Sequence, residues 1–221
     1  MMSTSKTLKA SGLTADSRKG RQATDLFRDA YNAVALDEDC GQHFNENPAV
    51  APALRELIRR YSMPVAAPEG GRIHVVRVPV NPAREWQEAI DAAGPNTGKD
   101  WDVRKVGDQY PPQTGQVEER EVILVNFGKS IPNGQYALDW AKPFGIKPSD
   151  PRKVFAVGEH KTELHRELGV DAMAVVSLIP CSFGGDRRVP LSWWSRSGRS
   201  SDLYWFDDVF NDDCWFAFSR E

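Results

Sequence analysis

Two spacings of apolar residues divide this chain. Near the N-terminus they recur every three or four positions, as on one face of a helix. Phe27, Ala30, Tyr31 and Val34 follow this rule behind Thr24, a candidate N-cap. Leu54, Leu57, Ile58 and Tyr61 follow it again behind Asn47-Pro48, a cap with proline at the first helical position. The stretch Pro64 to Gly71 is rich in proline and glycine and reads as a linker. Beyond it the pattern shortens. Arg72 to Val80 (RIHVVRVPV) is β-branched and predicts a strand, with Pro79 placing it at a sheet edge.

Asn81-Pro82 predicts a further helix with the buried stripe Trp86, Ala89, Ile90 and Ala93, stopped by Gly94. Residues 94–118 are polar and turn-rich, a loop long enough to be either functional or disordered. Glu121 to Phe127 predicts a strand, and Tyr136, Leu138 and Trp140 a short helix ending near Pro143. Lys153 to Val157 (KVFAV) predicts a strand, Thr162 to Leu168 a short helix closed by Gly169, and Ala172 to Ile179 a strand buried on both faces. That order predicts β-α-β-α-β with parallel strands.

Three further strands are expected: Arg187 to Trp194 after the Gly184-Gly185 turn, Leu203 to Phe210, and Cys214 to Phe218. Turn signals at that spacing predict an antiparallel meander. The predicted class is therefore α+β, a mixed sheet with a helical N-terminal region. The expected division is a disordered basic tail over 1–22, a helical region over 23–66 and a mixed α/β sheet domain over 67–221.

Composition narrows the picture without naming a function. The 221 residues carry 28 Lys and Arg against 31 Asp and Glu, with seven tryptophans. No run approaches the ~20 apolar residues of a membrane span, and the opening residues lack the apolar core of a secretory signal. Cys40, Cys181 and Cys214 are odd in number and lack CxxC spacing, against a disulfide framework or a cysteine zinc site. The expected setting is a reducing cytoplasm. VFAVGEHKTELHRELG, VVSLIPCSFGGDRRVPLSWW and the final WFAF resemble uncharacterised proteins of uncultured bacteria, from about His74 onward. The resemblance implies a bacterial cytoplasmic protein and carries no activity or site.

Three chemistries have candidate residues. Parallel strands would deliver Lys129, His160 and Cys181 to one rim, where α/β sheets bind ligands. Cys181 with His160 or His165 would then be a nucleophile and base, as in a cysteine-dependent hydrolase or transferase. The C-terminal strands interleave Arg187, Arg188 and Arg196 with Trp193, Trp194 and Trp205, a composition suited to a protein partner's hot spot. It also suits stacking on single-stranded nucleic acid. Asp202, Asp207, Asp208, Asp212 and Asp213 lie beside those arginines and cancel their charge, which disfavours nucleic acid. His160 and His165 are five apart, off a shared helical face, and no HExxH or phosphate-loop pattern occurs, so no metal or cofactor is expected. The leading expectation is a domain that binds a protein partner through its aromatic-rich C-terminal sheet.

Overall fold

The computed structural model describes residue 25 and residues 28–34, 38–54 and 65–220. The chain divides into two units, Met1–Glu56 and Leu57–Glu221. The expected basic tail over 1–22, and Thr24, Phe27, Leu57, Ile58, Tyr61 and Pro64, lie outside the described residues.

The first unit is helical where described: residues 28–33, α1 (Glu38–Glu46) and residues 50–54. Asn47 does cap, its Oδ1 accepting from the Ala49 amide at 2.9 Å. Tyr31 meets Phe44 edge-on with ring centroids 5.6 Å apart. Val34 falls in the turn that closes residues 28–33 and stays exposed rather than extending an apolar stripe.

The second unit holds an eight-stranded mixed sheet, and the class is α+β. Its strands are β1 (Arg72–Val80), β2 (Glu118–Asn126), β3 (Lys147–Pro148), β4 (Met173–Ser177), β5 (Cys181–Phe183), β6 (Asp186–Ser195), β7 (Gly198–Trp205) and β8 (Cys214–Ser219). The order across the sheet is β1-β2-β8-β4-β6-β5, with β3 on β8 and β7 on β6. Its helices are α2 (Trp86–Ala93), α3 (Gly134–Ala141), α4 (Pro151–His160) and α5 (Leu164–Glu167).

Two expected elements come out differently. Lys153 to Val157 is not a strand but the middle of α4. Asp150 caps that helix by accepting from the Arg152 amide at 2.8 Å, and Pro151 occupies its first turn. The apolar run is continuous because Val154, Phe155, Ala156 and Val157 are all buried in this one helix. A Cβ on Gly158 would stand 2.9 Å from the Ala93 Cβ of α2 and 3.0 Å from Ser192 Oγ, so glycine permits this close approach.

The second difference is β8. It does not extend the β5–β6–β7 meander but inserts between β2 and β4, antiparallel to β2 and parallel to β4. All six of its residues are buried, as befits a central strand covered on both faces. Since β2 opposes β8 and β8 follows β4, the carboxyl ends of β2 and β4 lie at opposite edges of the sheet. The expected shared rim of Lys129 and Cys181 therefore does not form.

The expected strand Leu203 to Phe210 is shifted: β7 runs Gly198–Trp205, residues 206–209 turn away, and Phe210 makes only an isolated bridge to Ile131. Other local signals hold in part. The stripe Trp86, Ala89, Ile90 and Ala93 is buried and Gly94 closes α2. Asn81 makes a turn instead, its Oδ1 accepting from Ala83 N at 3.1 Å, and the helix starts later. Within the expected long loop, Asp102–Gln109 forms a 3-10 helix that buries Val103 and Val106. Trp86 Nε1 donates to Val103 O at 2.7 Å and Arg104 binds Asp91 at 2.7 Å, which fixes this segment against α2.

Alternation assigns the core to two faces. Val76, Val78, Val122, Leu124, Val175 and Trp194 share one, with Val154 and Val157 of α4 packed on it. On the other lie Ile123, Val125, Val176, Leu191, Phe216 and Phe218, with Ala137 and Ala141 of α3 packed against part of it. Among the described residues, no helix is long and apolar enough to cross a membrane.

Candidate functional site

The face shared with α3 is only partly covered, and a groove of about 600 Å³ remains. Register explains its floor. Trp193 stands opposite Ala174 on one side and Ser200 on the other, Leu191 opposite Asp202, and Ala174 opposite Cys214. Paired residues share a sheet face. Ala174, Leu191, Trp193, Asp202, Tyr204 and Cys214 thus line one cavity.

Loops raise its walls. Asn211 and Asp213 come from the turn before β8; Asn96 and Trp101 come from the segment after α2. Buried Asn126 holds the first wall, donating from Nδ2 to Asp212 O at 2.6 Å and Cys214 O at 2.9 Å. Asn96 holds the second by donating to Ser197 O at 2.8 Å. Gly198 has φ of +122° and a Cβ there would collide with the Asn96 amide, so the β6–β7 turn requires glycine.

The groove is aromatic and acidic. Trp193 and Tyr204 are half-buried in it and Trp101 is exposed at its margin. Asp202 and Asp213 make no ion pair among the described residues; Asp202 accepts only its neighbour's amide, from Leu203 N at 2.8 Å. Asp202 is exposed at the groove, yet partial desolvation by the surrounding walls raises its carboxyl above its ordinary range. The Cys214 thiol donates to Asp213 Oδ1 at 3.5 Å, and burial together with that neighbouring charge pushes it strongly upward. Arg199 also borders the groove, but its guanidinium turns away to the carbonyls of Ala93 and Gly158. A cation with an apolar stem fits such a surface: carboxylates neutralise it and ring faces attract it.

The predicted arginine and tryptophan residues divide among several places. Arg187 forms a two-point ion pair with Asp207 and lies 4.4 Å from the Phe206 ring centroid. Arg188 stacks 3.5 Å over Trp205 and approaches Asp186 at 3.5 Å. Arg196 binds Asp171 at 2.8 Å. Trp194 is fully buried on the opposite face, its Nε1 donating to Lys161 O at 3.0 Å. Trp205 is 44 % exposed. Of the six, Trp193 alone borders the groove.

The cysteine and its histidines are not brought into hydrogen-bond contact. Cys181 is buried with Trp86, Tyr110 and Phe155, and its Sγ donates to Arg188 O at 3.5 Å. Burial raises its thiol pKa, which disfavours a thiolate. His160 closes α4, 3.6 Å from Glu159, while His165 is buried in α5. Among the described residues no group of three or more His, Cys, Asp or Glu is placed to hold a metal ion. In the sequence reading Asp202 and Asp213 count among the charges that cancel nearby arginines. That holds for Asp207, which does pair. The register of Asp202 opposite Leu191, and the place of Asp213 just before Cys214, which pairs with Ala174, separate the groove acids from it, and no local signal carried this. A scan of protein-family models, a search of curated proteins and a search of solved structures each found no match to this chain.

Proposed function

We propose that the second unit is a binding domain that receives a basic segment of a protein partner in the groove on β6 and β7. One observation carries the reading: two carboxylates without ion-pair partners among the described residues line the same groove of about 600 Å³ as Trp193 and Tyr204. A Lys or Arg side chain would lay its stem on the rings and its charge against Asp202 or Asp213, with separate basic residues of one segment serving the two. Desolvated charge pairs at the centre of an interface, ringed by aromatic contacts, contribute strongly to affinity.

The other two chemistries have less support. The C-terminal arginines are committed to Asp207, Asp186, Asp171 and backbone carbonyls, which leaves little charge for phosphates. Cys181 lacks both an imidazole partner and an environment that favours thiolate. The test is a titration of the full chain with short Lys/Arg-bearing peptides and with Asp/Glu-bearing peptides of matched apolar content. The reading expects saturable binding of the basic set only, weakened about tenfold or more by Asp202→Asn with Asp213→Asn. Equal binding of both sets, or no effect of the double substitution, would refute it.

A further inference from the structure

An open sheet has edges, and this chain finishes its edges unequally. On β5 the side-chain amide of Gln109 stands in for a neighbouring strand. Its Oε1 accepts from Ser182 N at 2.8 Å and its Nε2 donates to Ser182 O at 2.9 Å. On β7 the segment after α2 acts likewise. Asn96 N donates to Arg199 O at 3.0 Å, and Thr97 Oγ1 accepts from Ser201 N at 2.7 Å. Leu203 N, next along that edge, donates to Asp202 Oδ1 at 2.8 Å. Backbone groups satisfied in this way do not recruit another strand.

At the other end of the strand order lies β1. It pairs one to one with β2 over all nine of its residues, without a bulge. Among the described residues, nothing bonds to the backbone groups on its outer side. A long, unblocked edge is a template for a further strand. Other safeguards are missing as well. Val76, Val78 and Val80 fill its side toward α4, with no charge among them. Pro79, which cannot donate to a ladder, stands only near the far end. Val75, on the opposite face at mid-strand, is 48 % exposed.

The sequence of β1 fits its own copy. A two-fold axis perpendicular to the sheet sets two such strands antiparallel and keeps each face continuous, so that opposed residues belong to the same face. With the axis at Val75, the two valines meet. Ile73 of one copy then stands opposite Arg77 of the other, His74 opposite Val76, and Arg72 opposite Val78. No like charges are opposed, and Pro79 falls opposite Gly71, beyond the end of the strand. An axis at Arg77 would oppose the two arginines, and one at Val76 would bring Pro79 into the ladder opposite Ile73. We infer that β1 is a self-association edge, at which two copies of this chain join antiparallel about Val75 into one continuous sheet. This edge lies at the opposite end of the strand order from β6 and β7, so the inference stands or falls independently of the groove.

The test is sedimentation equilibrium of the full chain, under reducing conditions, over about a hundredfold range of concentration. A monomer–dimer equilibrium is expected. Val75→Lys sets two cations opposite each other and should weaken it about tenfold or more. Val209→Lys, at an exposed valine off β1, should leave it unchanged. Register is read by mild oxidation in a Cys40→Ser background, which removes the exposed native thiol. Val75→Cys should form a covalent dimer, because opposed Cβ atoms lie about 4.5–5.5 Å apart, and Arg77→Cys should not. Should Val75→Lys fail to fold, the cross-link decides. A chain monomeric throughout, a dimer that folded Val75→Lys leaves intact, or the absence of the Val75→Cys cross-link would overturn the inference. So would a monomer whose β1 amides gain protection from hydrogen exchange when the Lys/Arg-bearing or Asp/Glu-bearing peptides are added, which would give the edge to a partner's strand.

Discussion

The two faces of the sheet are built from the same strands but finished differently. On the face covered by α4, polar atoms of the aromatic and charged side chains find protein carbonyls: Trp194 Nε1 reaches Lys161 O, and the Arg199 guanidinium reaches Ala93 O and Gly158 O. On the other face, α3 stops short and leaves Trp193, Tyr204, Asp202 and Asp213 around a cavity. Adjacent residues in β6 therefore serve opposite ends. Trp194 closes a core, and Trp193 presents a ring to whatever enters the groove. The comparison teaches that aromatic surplus in a sequence is not itself a binding surface; the surface is where helices fail to cover the sheet.

The neighbouring tryptophans give the sharpest way to break this contrast. Trp194→Ala removes a fully buried indole and should cost about 3–5 kcal/mol in urea unfolding. Trp193→Ala should cost about 1–2 kcal/mol, since its ring is half-buried, and should impair peptide binding far more than stability. Equal losses from the two substitutions would erase the distinction between faces. Next in size is Gly198→Ala at the groove wall. A left-handed turn residue that also meets Asn96 should cost about 1–3 kcal/mol, read from the denaturation midpoint.

Cysteine chemistry extends the contrast to reactivity. Cys40 is exposed, whereas burial raises the thiol pKa of both Cys181 and Cys214. Iodoacetamide at neutral pH, followed by mass spectrometry, should label Cys40 first, with the other two slower by about tenfold or more. Fast labelling of Cys181 would restore the cysteine-enzyme chemistry.

The smallest effect concerns pH. Because the folded pKa of Asp202 lies above its unfolded value, its ionisation opposes folding. The penalty is complete above the folded pKa and disappears as pH falls below the unfolded one. Asp202→Asn should therefore raise the melting temperature slightly at neutral pH and lose that advantage in acid, even as it weakens binding of a basic peptide. A substitution that destabilises at neutral pH would contradict this account of the groove.

Much of this architecture was written in local pattern. The Trp86-to-Ala93 stripe, the glycine turn at 184–185 with both φ angles positive, and the doubly buried β4 follow from spacing alone. The opposite placing of Trp193 and Trp194 follows from strand alternation. What failed was the reading of short continuous apolar runs. KVFAV looks like a strand until Asp150-Pro151 is weighed as a helix start, the same kind of signal that marked Asn47-Pro48. WFAF is a strand as expected, but its uniform apolarity belongs to a central position rather than the end of a meander. The groove was less legible still. Its two acids become distinct from their paired neighbours only through cross-strand register and the closing loops from α2 and before β8.

The most direct measurement follows the tryptophan indole N–H signals by ¹H–¹⁵N nuclear magnetic resonance as a short Lys/Arg-bearing peptide is added to the full chain. The account predicts that the Trp193 signal, with Trp101 at the margin, shifts and saturates, while those of Trp86, Trp194 and Trp215 stay in place. Shifts centred on Trp205 instead, or a spectrum that the peptide leaves unchanged, would contradict the claim that the incompletely covered face is the binding surface.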